Sequence, residues 1–146
     1  MRHALNLRFR VVETTTFEVR TGDREGVIDV TRRVVEFAAG VGGDGLVHVF
    51  VPHATAGIAI METGSGSEED LLAALDELLP VDDRWRHAHG SRGHGRSHVM
   101  PALVPPYCTV PMSAGRLLLG TWQSICLVDL NVDNDVRTVR VSVLPA

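Results

Sequence analysis

The chain has 146 residues, 45% of them hydrophobic, and a formal net charge of −4, which fits one domain and gives no indication of a nucleic-acid partner. All fourteen basic residues are arginine, which excludes a Schiff-base, phosphate-loop or general-base lysine. Two cysteines make no disulfide framework, and the sequence has neither a signal peptide nor an apolar stretch near the roughly 20 residues of a membrane span, so we expect a cytoplasmic protein.

The first elements follow from hydrophobic periodicity. Alternating apolar and polar residues predict a half-buried strand at 4–12, with Leu5, Leu7 and Phe9 on one side, and a second strand antiparallel to it at 15–21. Residues 29–43 predict a helix whose inner face carries Val30, Val34, Phe37 and Ala38, and which ends at the glycines at 40, 42 and 43.

Two apolar strands are predicted next, at 45–53 and 57–62, followed by a helix over 67–80. Its leucines at 71, 75, 78 and 79 have helical spacing, Ser67 is a natural N-cap completed by Asp70, and Pro80 ends it. Short strands follow at 107–112, 115–120, 122–130 and 135–144. This order predicts one α+β domain over residues 1–146, with a mixed, largely antiparallel sheet and two helices.

Two glycine-rich segments resemble phosphate-binding loops but lack their context. GVGGDG at 40–45 follows a helix and precedes a strand, which is the reverse of a dinucleotide fingerprint, so we interpret it as a turn. ETGSGSEED at 62–70 opens a helix, yet the three acidic residues of its first turn would repel an anion, so we interpret it mainly as a cap.

His53 and Glu62 flank the strand at 57–62. His53 ends an apolar strand, and Glu62 is unfavourable in such a strand unless it reaches an edge, a partner or a site. In a hairpin they would lie at opposite ends of the second strand, each facing the rim of the sheet. A turn histidine with a satisfied hydrogen bond is an equally good interpretation of His53. His48 lies inside a strand and is interpreted as structural.

The segment WRHAHGSRGHGRSH, 85–98, holds four of the seven histidines. His87-x-His89 and His94-x₃-His98 have plausible spacing for zinc or a similar ion, although a solvated loop explains the same residues. Arginines are interspersed; they would oppose a cation but attract a phosphate, which suits a pocket for a metal and an oxyanion. They are Arg84, Arg86, Arg92 and Arg96.

Four motifs carry a resemblance to a known family. GRLLLGTWQSICLVDL at 115–130 looks like the Gly-Thr-Trp-Gln signature of the YjbQ-like family, which is described as secondary thiamine-phosphate synthase. PHATAGIAIMET is similar to its His-Thr-Ser/Thr-Ala segment followed by Asn-Glu, WRH to its Tyr-x-His, and SHVMPAL to its Ser-His-Ile-Lys. The likeness is colinear from about residue 45 to 144, and on it His53, Glu62, His87 and His98 occupy family positions.

The resemblance implies an α+β homotrimer with a histidine-rich site for a divalent metal, zinc or magnesium, and a weak ability to join the pyrimidine diphosphate and thiazole phosphate halves of thiamine. It implies His53, His87 and His98 as metal or phosphate contacts. Glu62 and His87 would be catalytic, and Arg86, Trp122 and Gln123 would bind a small phosphorylated or heterocyclic substrate. The core role of an ordinary tryptophan is the competing interpretation of Trp122.

The chain departs from the family pattern at several positions. Met100 replaces a lysine that would bind phosphate, Tyr107 replaces a serine, and His89 and His94 have no family counterpart and are expected to be bystanders. Two alternatives to the thiamine reaction therefore stay open. One is a metal-dependent hydrolase of a small phosphorylated or carbonyl substrate, and the other is a non-catalytic protein that binds a small anion.

Overall fold

The computed structural model describes residues 11–146, so residues 4–10 of the strand expected at 4–12 lie outside the described residues, and Val11 and Val12 precede the first described strand. These residues form a single α+β domain of eight strands, three α-helices and one turn of 3₁₀ helix. In chain order the elements are β1 Glu13–Arg20, β2 Gly26–Asp29, α1 Thr31–Val41, β3 Gly45–Phe50, β4 Ala56–Met61, α2 Ser67–Leu78, α3 His94–Val99, the 3₁₀ turn Met100–Ala102, β5 Tyr107–Ser113, β6 Arg116–Leu117, β7 Ser124–Asp129 and β8 Val136–Pro145.

The strands form two sheets instead of the single mixed sheet that was predicted. One has five strands in the order β1-β8-β3-β5-β6, and the other has three in the order β2-β7-β4. Every strand pair within the described residues is antiparallel. The strand expected at 15–21 is present as β1, and the partner that the structure gives it is β8, the last strand of the chain.

The main core lies between the two sheets and α1. Val34 and Ala38 of α1 belong to this core. They pack with Val47 of β3, Leu127 of β7 and Val141 of β8, and all five side chains are fully buried. Burial alternates with period two along β8, and every second side chain from Arg137 to Val143 is buried. Helix α1 continues through Gly40 to Val41, and Gly42, one of the glycines expected to end it, is its C-cap residue.

A second, smaller core supports the histidine segment. Leu75 and Leu79 at the end of α2 pack with Met100 and with Val128 and Leu130 near the end of β7. Helix α2 ends before Pro80 as predicted, but Leu78 is 66% exposed and does not join the leucine face. Among residues 11–146, no helix has the length and apolar character needed to span a bilayer.

The predicted cap of α2 is wrong in its chemistry. Gly66 is the N-cap residue, with a φ of 95°, and Ser67 is already the first helical residue. The Glu68 carboxylate instead accepts the backbone N–H of Gly64 at 2.8 and 2.9 Å, which satisfies a donor in the preceding turn. Glycine supplies the left-handed backbone that allows this tight entry.

Candidate metal centre

The histidine segment contains a third helix that the sequence analysis did not predict. Helix α3 begins at His94, so His94 and His98 lie four residues apart on one face of it. Gly90 and Gly93, at φ values of 75° and 74°, turn the chain into the helix. A Cβ at Gly90 would come within 2.6 Å of an Asp133 carboxylate oxygen and 2.9 Å of His94 Nδ1, so the backbone approaches this pair as only glycine allows.

Arg96 anchors α3 from beneath. Its side chain is 2% exposed and its guanidinium donates to the Leu79 carbonyl at 2.8 Å. It also forms ion pairs with Glu25 at 2.6 Å and Asp76 at 2.7 Å. Because an unpaired buried charge is costly, these contacts hold the short helix against α2 and the segment before β2. Arg96 is therefore a structural residue in this fold.

Four imidazoles meet above α3. One ring nitrogen from each of His87, His89, His94 and His98 lies within 4.8 Å of the others. The ring centroids of His87 and His98 are 4.1 Å apart, and those of His89 and His94 are 4.6 Å apart. His89 and His94, which were expected to be bystanders, belong to the same cluster, and we call these four residues the imidazole cluster.

Asp133 holds one member of the imidazole cluster in place. Its carboxylate contacts His94 Nδ1 at 2.5 Å and accepts the backbone N–H and the hydroxyl of Ser91. The Ser91 N–H and the His94 ring both lower the pKa of the Asp133 carboxyl. An ionised Asp133 accepts a hydrogen bond from the protonated Nδ1 of His94, which leaves the Nε2 lone pair of His94 directed at the cluster.

The surroundings of His98 favour its neutral form. Burial lowers the pKa of His98, and the neighbouring His87, His94 and His89 lower it further. Neutral imidazole is the form that binds a metal. No other group of three or more metal-ligating side chains was found among residues 11–146.

His53 lies next to the cluster but is not one of its members. Its Nε2 accepts the backbone N–H of Thr138 at 2.9 Å. It lines a cavity of about 310 Å³ together with His89, His94 and His98 of the cluster and with Asn134 and Arg137. Of the three histidines expected to bind metal, the structure thus brings His87 and His98 into the cluster and places His53 in the lining of the adjacent cavity.

The other expected site residues lie at the far end of the smaller sheet. Met61 of β4 pairs with Ser124 of β7, so Glu62 follows one strand where Trp122 and Gln123 precede the other. His53 precedes the opposite end of β4, and the six residues between the two ends span roughly 20 Å. Within one chain the structure therefore separates Glu62, Trp122 and Gln123 from the imidazole cluster.

The Gly-Thr-Trp-Gln signature forms an exposed turn. Gln123 Oε1 accepts the backbone N–H of Gly120 at 2.8 Å, and the Gln123 N–H donates to the Gly120 carbonyl at 3.0 Å. Trp122 is 73% exposed, so the interpretation of it as a core residue is wrong. The side-chain carbonyl of Gln123 is used to close the turn. Only the spacing of Gly120 and Gln123 could have indicated this role in the sequence.

The arginines of the segment do not form a common anion site. Arg84 pairs with Asp82 at 2.7 Å, Arg92 lies 4.0 Å from Asp83, and Arg96 is buried. Arg86, expected to bind substrate, is exposed and does not line the cavity beside the cluster. Outside this segment, His48 Nδ1 lies 2.9 Å from the Thr109 hydroxyl across the β3–β5 pair, in keeping with a structural role.

Comparisons with known proteins show the family. The family model described as "UPF0047 protein YjbQ-like" matches residues 15–146, and the chain belongs to this family. It is 57% identical over 131 residues to a UPF0047 protein of Mycobacterium tuberculosis, covering 90% of this chain and 97% of that one. It is 34% identical over 114 residues to the UPF0047 protein YugU of Bacillus subtilis, covering 75% and 83% of the two chains.

Solved structures agree with the fold. A YbjQ-like protein of unknown function from Sulfolobus solfataricus superposes with a TM-score of 0.87 at 26% identity, covering 93% of this chain and 99% of that one. A hypothetical protein from Aeropyrum pernix superposes with a TM-score of 0.82 at 35% identity, covering 92% and 99%. The first is described as a protein of unknown function and the second as a hypothetical protein.

Proposed function

We propose that this YjbQ-like protein binds a divalent metal through His87, His89, His94 and His98 and acts on a small phosphorylated molecule beside it. The observation that carries the proposal is the convergence of four imidazole nitrogens within 4.8 Å. Tetrahedral zinc with nitrogen ligands at 2.0–2.1 Å places those nitrogens roughly 3.3 Å apart, which small side-chain adjustments of this cluster would reach. An all-imidazole set favours zinc over magnesium, because magnesium prefers oxygen ligands and water.

The contacts around the cluster support this assignment. Metal-binding histidines usually donate their second ring N–H to a carboxylate or carbonyl, and Asp133 accepts from His94 in that manner. The side chain of His94 is 7% exposed, so its orientation is fixed by packing as well as by the hydrogen bond. The histidines of a solvated loop would be hydrogen-bonded to water, and a carboxylate that orients one ring would not be needed.

The number of imidazoles that bind determines what the centre can do. Four protein ligands complete a tetrahedral zinc site and leave no position for substrate, whereas three leave one open position. His87 and His89 are exposed and lie on the loop before α3, so either of them is free to give way to a substrate atom. Cobalt substitution tests this: a visible spectrum that shifts on addition of phosphate indicates an open position, and one that does not shift indicates a closed site.

The reaction that we propose is the one expected for the family, the joining of two thiamine precursors. The thiazole nitrogen attacks the methylene carbon of the pyrimidine diphosphate, and the carbon–oxygen bond breaks so that diphosphate leaves with its electron pair. A bound divalent ion would supply charge that neutralises this leaving group. Formation of thiamine phosphate from the two halves, lost in a His98→Ala variant, would support this reaction, and its absence in metal-loaded wild type would sink it.

We further propose a homotrimer in which a second copy completes the site. A cavity of about 310 Å³ is at the lower limit for small-molecule sites, so two substrate halves need more surface than one chain offers. Glu62, the exposed ring of Trp122 and Gln123 would provide it, with Glu62 moving a proton and Trp122 stacking on a heterocycle. Light scattering in solution tests this, because a mass near 15.9 kDa would contradict the shared site.

Metal-dependent hydrolysis is a second candidate, favoured by the cavity that opens directly beside the cluster. In this function an ion at the cluster would activate a water molecule, and the ligand in the cavity would be hydrolysed. Hydrolysis of a phosphomonoester that requires added zinc would support it over the joining reaction. For either function we propose a cytoplasmic location, in which Cys108 and Cys126 stay free thiols as the structure has them.

A further inference from the structure

The cavity beside the imidazole cluster has a second wall with its own chemistry. Besides His89, His94 and His98 of the cluster, its lining includes His53, Asn134 and Arg137. We call the latter three residues the donor wall. His53 lies in the turn before β4, Asn134 in the loop after β7, and Arg137 is the second residue of β8. Three separate segments therefore contribute to the donor wall.

The proton of His53 is fixed by the backbone. A peptide N–H can only donate, so the Thr138 N–H at 2.9 Å requires a lone pair on His53 Nε2. The single ring proton of the neutral imidazole is therefore on Nδ1. Burial lowers the pKa of His53, and the Arg137 guanidinium lowers it further, which keeps the ring neutral. With Nε2 occupied and Nδ1 protonated, His53 is a hydrogen-bond donor with no lone pair for a metal.

Arg137 is held rigidly by two of its three guanidinium nitrogens. The Asp129 carboxylate accepts hydrogen bonds from Arg137 Nε at 2.6 Å and from Arg137 Nη2 at 3.1 Å. Both side chains are at most 3% exposed. The third guanidinium nitrogen, Nη1, has no hydrogen-bond partner among residues 11–146, and Arg137 lines the cavity. Because the guanidinium is already immobilised, binding a ligand there costs little side-chain entropy.

Asn134 presents a third donor. Its Oδ1 accepts the Nδ2–H of Asn131 at 2.9 Å, which orients the amide and leaves the Asn134 NH₂ group available. Asn131 is itself fixed, because its own Oδ1 accepts the backbone N–H of Asp133 at 3.0 Å. The same loop thus orients Asn134 on the donor wall and Asp133 behind the imidazole cluster.

We propose that the donor wall binds one oxyanion group of the ligand, a phosphate or a carboxylate, with His53, Asn134 and Arg137 as donors in the cavity that they share with the imidazole cluster. Three donors without a carboxylate among the cavity-lining side chains suit an anion and not a cation. The proposal rests on the proposed function in one respect, that a metal at the cluster would add positive charge beside the same cavity. It assigns His53 to the ligand and not to the metal.

The test uses zinc-loaded protein and titrates inorganic phosphate, and separately acetate, by calorimetry. Asn134→Asp replaces a donor by a negative charge of nearly the same size, and Thr16→Asp, on the exposed side of β1, is the charge-matched control. We expect at least one of the two anions to bind, and to bind Thr16→Asp with the same affinity as wild type. We expect Asn134→Asp to weaken binding by about tenfold or more, as loss of a charge-assisted hydrogen bond implies. The anion that binds more tightly identifies the group.

His53→Ala gives an independent reading. It removes the proposed donor, so anion binding should fall by about tenfold while zinc content stays equal to that of wild type. Loss of zinc in His53→Ala with full zinc in Asn134→Asp would make His53 a metal ligand and overturn the proposal. So would anion affinity that neither variant changes, or binding of neither anion to wild type.

Zinc content separates this proposal from the metal centre. If wild type takes up no zinc, the proposed metal function fails, and the same titration is then made on metal-free protein. Anion binding that is weakened by Asn134→Asp there would uphold the donor wall without the metal. Binding that is absent or insensitive to the variant would overturn it as well.

Discussion

The Nε2 atoms of His94 and His98 lie 3.0 Å apart on the same face of α3. Asp133 accepts from the opposite nitrogen of His94, so the Nε2 of His94 carries a lone pair and must be the acceptor if the two rings share a proton. In the metal-free protein the Nε2–H of His98 supplies that proton, and a metal ion that replaced it would be bound by both nitrogens. The geometry therefore makes this pair the centre of the proposed metal site.

The pairing of the imidazoles predicts a pH dependence of stability in the metal-free protein. The pKa of His98 is lowered in the fold, whereas in the unfolded chain it has its ordinary value near 6.5. As pH falls through that value the unfolded chain takes up the proton first, so the free energy of unfolding should fall below about pH 6.5. Urea denaturation at pH 7.5 and 5.5 measures this, and His98→Asn should show a smaller difference than wild type. An equal difference would contradict the assignment.

The Asp129–Arg137 pair predicts a large stability effect at the end of β7. Because both side chains are buried, Arg137→Met leaves an unpaired carboxylate and should lower the free energy of unfolding by about 3–5 kcal/mol. The double variant Asp129→Leu/Arg137→Met should recover part of that loss. As a control, Arg20→Met breaks a 3.7 Å pair with Asp135 whose side chains are 83% and 71% exposed, and should change stability very little. Equal effects of the two single substitutions would be inconsistent with a buried pair.

Gly95 predicts a link between packing and the cluster. A Cβ there would lie 2.5 Å from both the His87 carbonyl and Trp85 Cβ, so Gly95→Ala must push α3 away from the segment that carries His87. Overpacking of this kind costs about 1–3 kcal/mol, and zinc affinity should fall together with stability. Gly40→Ala is the control, because a Cβ at this helical position meets nothing within 4 Å and should stabilise slightly. Unchanged zinc affinity in Gly95→Ala would argue against a preformed cluster.

The two cysteines predict low reactivity in the native state. Burial raises the pKa of Cys108 to about 11 and, with smaller effects of Asp29 and Glu68, that of Cys126 to about 12. The reactive thiolate is therefore nearly absent at pH 8. A chromogenic disulfide reagent should react slowly with the native protein. In urea it should react rapidly with both thiols. Rapid reaction in the folded state would contradict the packing around them.

The sequence predicts the parts of this fold that repeat a strong pattern. Helices α1 and α2 and most strands follow their hydrophobic periodicity, and Pro80 ends α2. The histidine segment does not follow this rule, because its glycines and serines have low helix propensity and the buried contacts of Arg96 hold α3 together instead. The four-residue strand β2 is too short to show a period, and its pairing with β7 is decided by tertiary contacts.

The candidate site was foreseen in part for the same reason. His87 and His98 follow from the family motifs, whereas the membership of His89 and His94 depends on α3 and on Asp133, which lies 39 residues away from His94. The role of Arg137 had no local signal, since its partner Asp129 ends another strand. Trp122 was misjudged because an apolar residue beside an apolar strand is usually buried, while the turn closed by Gln123 turns it outward.

Metal content per chain, measured by mass spectrometry on protein purified without a histidine tag, tests the central claim most directly. The variants are His94→Ala/His98→Ala, which leaves two imidazoles in the cluster, and His48→Ala, which removes a histidine outside it. We expect about one zinc per chain in wild type and His48→Ala after incubation with zinc, and almost none in the double variant. No zinc in wild type, or equal zinc in all three proteins, would contradict it.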